Sequence, residues 1–382
     1  MKSIYFDYNA TTPIAPSVIE AMRPYLAERS GSPGAAYTDG LIAMEAVEQA
    51  RERVAQALGA DCEEIVFTSG GTEANNLALK GTLLDPARYH SGGNSRGHLV
   101  ISAVEHDAVA EPARFLAQFD VDVTVVPTRS HGIVDPVEIE AALRSDTRLV
   151  SIVHANHEIG AIQPVAAIAR LCREREILVH TDATQSLGKI RTQVDELHVD
   201  LLSISGHKIY GPKGIGALFV RRGTQLAPLL HGEGQEHGLR AGMENVPAVV
   251  GFAQAAHLAE KSVDEFDGRI RGLRDLLWDG LKRGIPELHL HGDPRRTLPN
   301  TLSVAFPGAS GADLLASVPE LSACAAELGP GRPTVASPTL RALHATPELA
   351  AGTVRFSLGW HTSSEEIERA TELLCDAWER VR

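Results

Sequence analysis

What most restricts this chain is a change of hydrophobic period that repeats along its first two thirds. Short runs rich in Val, Ile and Leu occur at 64–68, 99–104, 121–127, 149–155, 177–182, 201–204 and 216–220. Between several of them the apolar residues recur every three or four positions, as Leu41, Met44, Val47, Ala50, Val54 and Leu58 do, and residues 165–173 repeat the habit. Continuous apolar strands must be covered on both faces, and helical crossovers lay successive strands side by side in one direction. The expected class is therefore α/β, with a mostly parallel sheet. Near residue 260 the texture changes. Phe266, Ile270, Leu273, Leu277 and Leu281 mark a long amphipathic helix, strand-like runs follow at 301–306 and 353–358, and Ile367, Leu374 and Trp378 mark a last helix. Thr362 with Glu365 predicts the capping box of that helix. A smaller α+β domain is expected there, and Gly and Pro clustered at 329–333 make 327–338 the loosest stretch.

Charge and cysteine usage exclude several functions. The 36 Lys+Arg against 49 Asp+Glu give a formal charge of −13, and no basic stripe appears; a phosphate-backbone binder needs the reverse. No run approaches the roughly 20 apolar residues of a membrane span. Lys2 and Asp7 fall where a secretory leader would be apolar, so the cytoplasm is expected. Cys62, Cys172, Cys324 and Cys375 are far apart with no CxxC pair, which argues against a disulfide framework or a metal knuckle.

Four features carry chemistry. The run at 65–67 leads through Ser69-Gly70-Gly71-Thr72 into helical residues, a turn whose backbone N–H groups suit an anion such as phosphate. No GxxxxGK[ST] occurs, which disfavours a P-loop hydrolase, and no GxGxxG opens a helix, which disfavours a Rossmann-type binder. A second apolar strand ends in Ser205-Gly206-His207-Lys208, where a partly desolvated lysine can form a Schiff base with an aldehyde; Lys213 is its competitor. A third ends in Asp182, with Gln185 three residues on, a carboxylate for a protonated ring nitrogen and an amide for a phenolic oxygen. A fourth ends in Glu105-His106, whose imidazole can stack on a planar ligand. Phosphate cradle, stacking ring, carboxylate and lysine at the carboxyl ends of strands are what pyridoxal 5'-phosphate (PLP) requires.

The chain resembles the NifS/IscS-type cysteine desulfurases, class V aminotransferase enzymes of the fold-type I PLP fold. The resemblance rests on Asp7-Tyr8-Asn9-Ala10-Thr11-Thr12-Pro13, residues 68–76, Glu105-His106, Asn156-His157-Glu158-Ile159-Gly160, Asp182-Ala183-Thr184-Gln185, Ser205-Gly206-His207-Lys208 and Gly238-Leu239-Arg240. It implies a large PLP domain over 15–260, and a small domain formed by 1–14 and 261–382 that carries the cysteine. By position, Lys208 would bind the cofactor aldehyde. Thr72, Ser205, His207 and the backbone at Gly71 would hold the phosphate, and Asp182 the ring nitrogen. Gln185 and Asn156 would face the phenolic oxygen, with Asn156 also near substrate, while His106 would stack on the ring and assist proton transfer. Arg355 would grip the substrate carboxylate.

The resemblance also makes Cys324, in Ser322-Ala323-Cys324, the nucleophile. Such enzymes carry it on a mobile loop, and it takes sulfur from L-cysteine as a persulfide, leaving alanine, before passing the sulfur to an acceptor protein. Cys62, Cys172 and Cys375 read as structural. A homodimer is implied. The alternatives are a selenocysteine lyase or other class V lyase in which Cys324 is dispensable, and an idle scaffold that keeps the fold. Met243, where a threonine is usual, Glu233, His237 and the Ala325-Ala326-Glu327-Leu328 run depart from the family pattern and point to a specialised branch.

Overall fold

The computed structural model describes residues 3–85, 97–129, 131–326 and 336–382. In chain order its strands are β1 (Ile4–Tyr5), β2 (Ile65–Thr68), β3 (His98–Ser102), β4 (Asp122–Val126), β5 (Thr147–Ser151), β6 (Leu178–Asp182), β7 (Leu201–Ser205), β8 (Gly216–Val220), β9 (His289–Leu290), β10 (Thr301–Ala305), β11 (Leu321–Ser322), β12 (Cys324–Ala325) and β13 (Thr353–Ser357). Seven of them, one for each early apolar run, form a sheet of order β2-β8-β7-β6-β5-β3-β4. Neighbours from β7 to β4 pair in parallel, whereas β8 runs antiparallel to both β7 and β2. The reversal has a local cause: residues 206–215 form a Gly/Pro turn with no room for a crossover helix.

Successive residues of single strands join opposite apolar clusters while all are buried, which shows that both faces are covered. Val100, Leu202 and Ile204 pack into one apolar cluster with Val47, Val54 and Phe252. Leu99, Ile101 and Leu201 face the opposite cluster with Leu77, Leu79 and Leu116. Every residue of β7 is buried, while the edge strand β4 is largely open.

The change of texture near residue 260 falls inside one helical rod. Val246–Glu265 continues through a π turn, Phe266–Ile270, into Arg271–Gly284. Its first half packs on the helices Pro16–Ala27 and Thr38–Leu58, and its second half on Ser364–Val381. Beyond it lies a four-stranded antiparallel sheet of order β12-β13-β10-β9. The N-terminal segment joins this region, because β1 pairs in parallel with β11 and the Ser357 N–H donates to the Phe6 carbonyl.

The cap of the last helix sits one residue later than expected. Ser363 and Glu366 make the capping box, because the Thr362 hydroxyl turns back to accept from the Gly359 N–H. Most of the Gly/Pro stretch at 327–338, including Gly329–Pro333, lies outside the described residues. Among the described residues no helix is long and apolar enough to cross a membrane.

Candidate active site

The sheet delivers its side chains to one end. After β2 the chain turns at Gly70, whose φ of 151° favours glycine, and enters the helix Gly71–Leu83. A Cβ at Gly71 would stand 2.6 Å from Thr184 Cγ2, so only glycine lets this helix start come so close to the end of β6. Asp182 ends β6 and is 3% exposed. Its Oδ2 accepts from Asn75 Nδ2 at 2.7 Å and its Oδ1 from the Thr184 N–H at 3.0 Å. β7 ends at Ser205, and a single 3-10 turn, Gly206–Lys208, swings His207 and Lys208 back over the same end.

Lys208 Nζ donates to the main-chain carbonyls of Asn9 (2.6 Å) and Ala10 (2.9 Å). Its pKa is lowered to about 8, by burial first and then by Arg355. The competitor Lys213 is exposed and lines only the outer hollow beside Gly70 and Thr72. Burial, then Lys208 and Lys213, lowers the His207 imidazole to about 4, so this ring is a neutral partner for an anion.

His106 caps the helix Asp107–Leu116, its Nδ1 accepting from the Ala108 N–H at 3.0 Å. A neutral ring held this way carries its proton on Nε2. The turn that presents it is pinned from beneath by Glu105, whose Oε1 accepts from Ser102 Oγ and the Val153 N–H. Burial pushes that carboxyl up to about 8. His157 meets His106 edge-on, with centroids 4.9 Å apart, and burial, then His106, Arg355 and Lys208, holds it well below the usual histidine range.

Gly71, Thr72, His106, Asp182, Gln185, Ser205, His207, Lys208 and Arg355 line one cavity of about 380 Å³. Asn156 is not brought to it. Its Nδ2 donates to the Val104 carbonyl and to Thr339 Oγ1, and its Oδ1 accepts from the N–H groups of Glu158 and Ile159. With every polar atom of the side chain engaged, Asn156 braces the wall from behind.

Cys324 is half-buried in β12, where it pairs with Arg355 of β13. The expected loop position is thus a short edge strand, with 327–335 beyond it outside the described residues. Burial raises the thiol pKa and the Arg355 charge opposes the rise. Cys324 lines a second cavity, of about 690 Å³, and His106, His157 and Arg355 line both cavities. Arg355 is 8% exposed; Nη2 meets Asp7 Oδ1 at 2.5 Å, Nη1 donates to the His157 carbonyl at 3.0 Å, and Nε has no hydrogen-bond partner among the described residues.

Met243 is 68% exposed, and Glu233 and His237 are exposed beside it in sequence. Glu236 between them is buried. It holds Arg51 Nη1 at 2.7 Å and accepts from the Phe67 N–H of β2, which ties this segment to the strand before the Gly70 turn. Sequence reasoning gave no role to Asn9 or Asn75. Asn75 lies one helical turn beyond Gly71 and was findable from that spacing, whereas Asn9 acts partly through its main-chain carbonyl.

The donor set fits PLP. An amine of lowered pKa, a buried carboxylate held by an amide, and a helix start cut back to glycine surround one hollow, which hydroxyls and a neutral imidazole also line. The model for "Aminotransferase class-V" matches residues 4–370. The chain is 41% identical, over all of its length and 96% of the other, to a protein of Dictyoglomus turgidum named "Cysteine desulfurase IscS". A solved "NifS-like protein" superposes with a TM-score of 0.92 at 35% identity, over 99% of this chain and all of that one. A structure titled "SspA in complex with cysteine" does so with 0.80 at 35%, covering 93% and 99%. Matched along nearly its whole length in sequence and in fold, the chain belongs to the class-V aminotransferase family.

Proposed function

We propose that this chain is a PLP-dependent cysteine desulfurase that moves the sulfur of L-cysteine to Cys324 and from there to an acceptor protein. The observation that carries the reading is the wall of His106, His157 and Arg355 shared by the Lys208 cavity and the Cys324 cavity. Bound PLP supplies an electron sink for charge at the substrate Cα. The protein does the rest. Arg355 binds the substrate carboxylate, which must share or displace Asp7. Lys208, with a pKa of about 8, takes and returns the Cα proton near neutral pH. Thr72, Ser205, His207 and the backbone at Gly71 would hold the phosphate, Asp182 would hold the ring N–H, and Gln185 would donate to the phenolic oxygen.

The balance of the transfer is simple. The Cys324 thiolate attacks the substrate sulfur, the carbon–sulfur bond breaks, and its electron pair goes to the carbon, which takes a proton. L-cysteine plus one thiol gives alanine plus one persulfide, with no outside oxidant or reductant. His106, exposed at the boundary with its proton on Nε2, is placed to assist proton movement. The enzyme works as a homodimer in the cytoplasm, with 15–260 as the PLP domain and 1–14 with 261–382 as the small domain.

Two variants test the reading together. Lys208→Ala loses the borohydride-sensitive yellow colour. Cys324→Ser keeps the colour and loses L-cysteine turnover when no excess thiol is present. Unchanged turnover by Cys324→Ser would favour the selenocysteine-lyase alternative.

A further inference from the structure

Lys189 is a buried cation-forming group that the reaction above does not use. It lies in the turn after β6, is 3% exposed, and among the described residues its amine pairs with no carboxylate. Its Nζ donates to two amide oxygens, Gln185 Oε1 at 2.9 Å and Asn9 Oδ1 at 3.1 Å. Burial, then the charges of Lys208 and Arg355, holds this amine well below the usual lysine range.

Both amides are fixed by what surrounds them. Gln185 Nε2 donates one hydrogen to the Asn9 carbonyl at 2.9 Å, the same carbonyl that receives Lys208 Nζ. Asn9 Oδ1 also accepts from Asn300 Nδ2, and Asn9 Nδ2 donates to Thr301 Oγ1 and the His157 carbonyl. A side-chain amide can turn over and exchange its nitrogen and oxygen, and only its neighbours decide which end faces where. The Lys189 amine claims the Gln185 oxygen from beneath. Gln185 lines the cavity, and among the described residues its nitrogen donates to the Asn9 carbonyl alone.

We propose that Lys189 is a positioning residue that locks the Gln185 amide with its N–H toward the phenolic oxygen of the cofactor. This rests on the reading of Gln185 given above. Without Lys189 only the Asn9 carbonyl orients the amide, and its oxygen turns more often toward an oxygen of the ring, where it repels instead of donating.

The test reads the bound chromophore and not turnover. A hydrogen bond donated to the phenolic oxygen stabilises negative charge there, and that charge is least compensated when the chromophore has lost its proton. Weakening the bond therefore raises the pH midpoint of the absorbance change, by about one pH unit for one hydrogen bond to a charged oxygen. The midpoint is measured on PLP-loaded wild type, Lys189→Met, Gln185→Ala and the double variant. We expect both single variants to rise, and the double variant to rise no further than Gln185→Ala alone. If Gln185→Ala rises while Lys189→Met stays at the wild-type midpoint, or if the two shifts add, the positioning role is wrong although Gln185 keeps its place. If Gln185→Ala itself does not move, the Gln185 reading fails and the proposal with it. Should Lys189→Met not fold, Lys189→Leu takes its place with the same outcomes.

Discussion

Lys208 reacts as a free amine, so its charge state sets how fast the protein can capture the cofactor. With a pKa of about 8 against the ordinary 10.5, about one lysine in ten is unprotonated at pH 7, where an ordinary one would offer roughly one in three thousand. Arg355 is the largest charge lowering this value, while Asp182 and Asp7 raise it. Arg355→Met removes a positive charge and also leaves Asp7 without its partner at 2.5 Å. Both changes stabilise the ammonium, so the pKa of Lys208 rises, by about one unit for a single nearby charge, equal to about 1.4 kcal/mol. The assay strips the protein of PLP, adds the cofactor back at a series of pH values, and follows the rate at which the chromophore forms. In the wild type the rate climbs about tenfold per pH unit and levels near pH 8; in Arg355→Met it levels near pH 9 and is about tenfold slower at pH 7. Asp7→Asn moves the break the other way. Identical break points in all three proteins would refute the electrostatic account of this lysine.

Gly71→Ala places a Cβ 2.6 Å from Thr184 Cγ2, which pushes the helix start away from β6; PLP should dissociate on dialysis at least about tenfold faster, a loss of ~1.4 kcal/mol. Glu236→Ala leaves the guanidinium of Arg51, only 4% exposed, without its buried carboxylate. Denaturant unfolding should show a loss of about 3–5 kcal/mol, and an unchanged midpoint would mean that the pair contributes nothing. Because burial raises the Cys324 thiol, persulfide formation measured in a single turnover should increase from pH 7 to pH 9, since the reactive thiolate is the minor form at neutral pH. A flat profile would contradict it.

The parts of this fold that depend on local period could be read from the chain. Each early apolar run became a strand, because residues such as Leu201, Leu202 and Ile204 face apolar clusters on both sides of the sheet. The residues that end those strands, Asp182 and Ser205, and Lys208 in the turn after β7, then had to gather at one edge. What escaped depends on contacts distant in sequence or on main-chain atoms. Asn9 reaches Lys208 through its carbonyl across 199 positions, and no side-chain pattern announces that. Lys189 was passed over because an isolated lysine reads as a surface residue, and only the fold reveals that it is buried against two amides. The motif around Asn156 points to a ligand contact, and the structure adds four hydrogen bonds within the protein to its side chain, which no local pattern announces. The antiparallel course of β8 was implicit in the short Gly/Pro connection before it, a cue that apolar periodicity does not weigh.

The central claim is that the amine of Lys208 and the thiol of Cys324 serve one substrate from adjoining cavities. Mass spectrometry of peptides from the PLP-loaded protein, taken after brief exposure to L-cysteine without reductant, tests this most directly. One additional sulfur on the peptide that contains Cys324, absent from the Lys208→Ala protein and from the peptides of Cys62, Cys172 and Cys375, is the predicted result. Alanine released in amounts matching the enzyme, with that peptide unmodified, would contradict it.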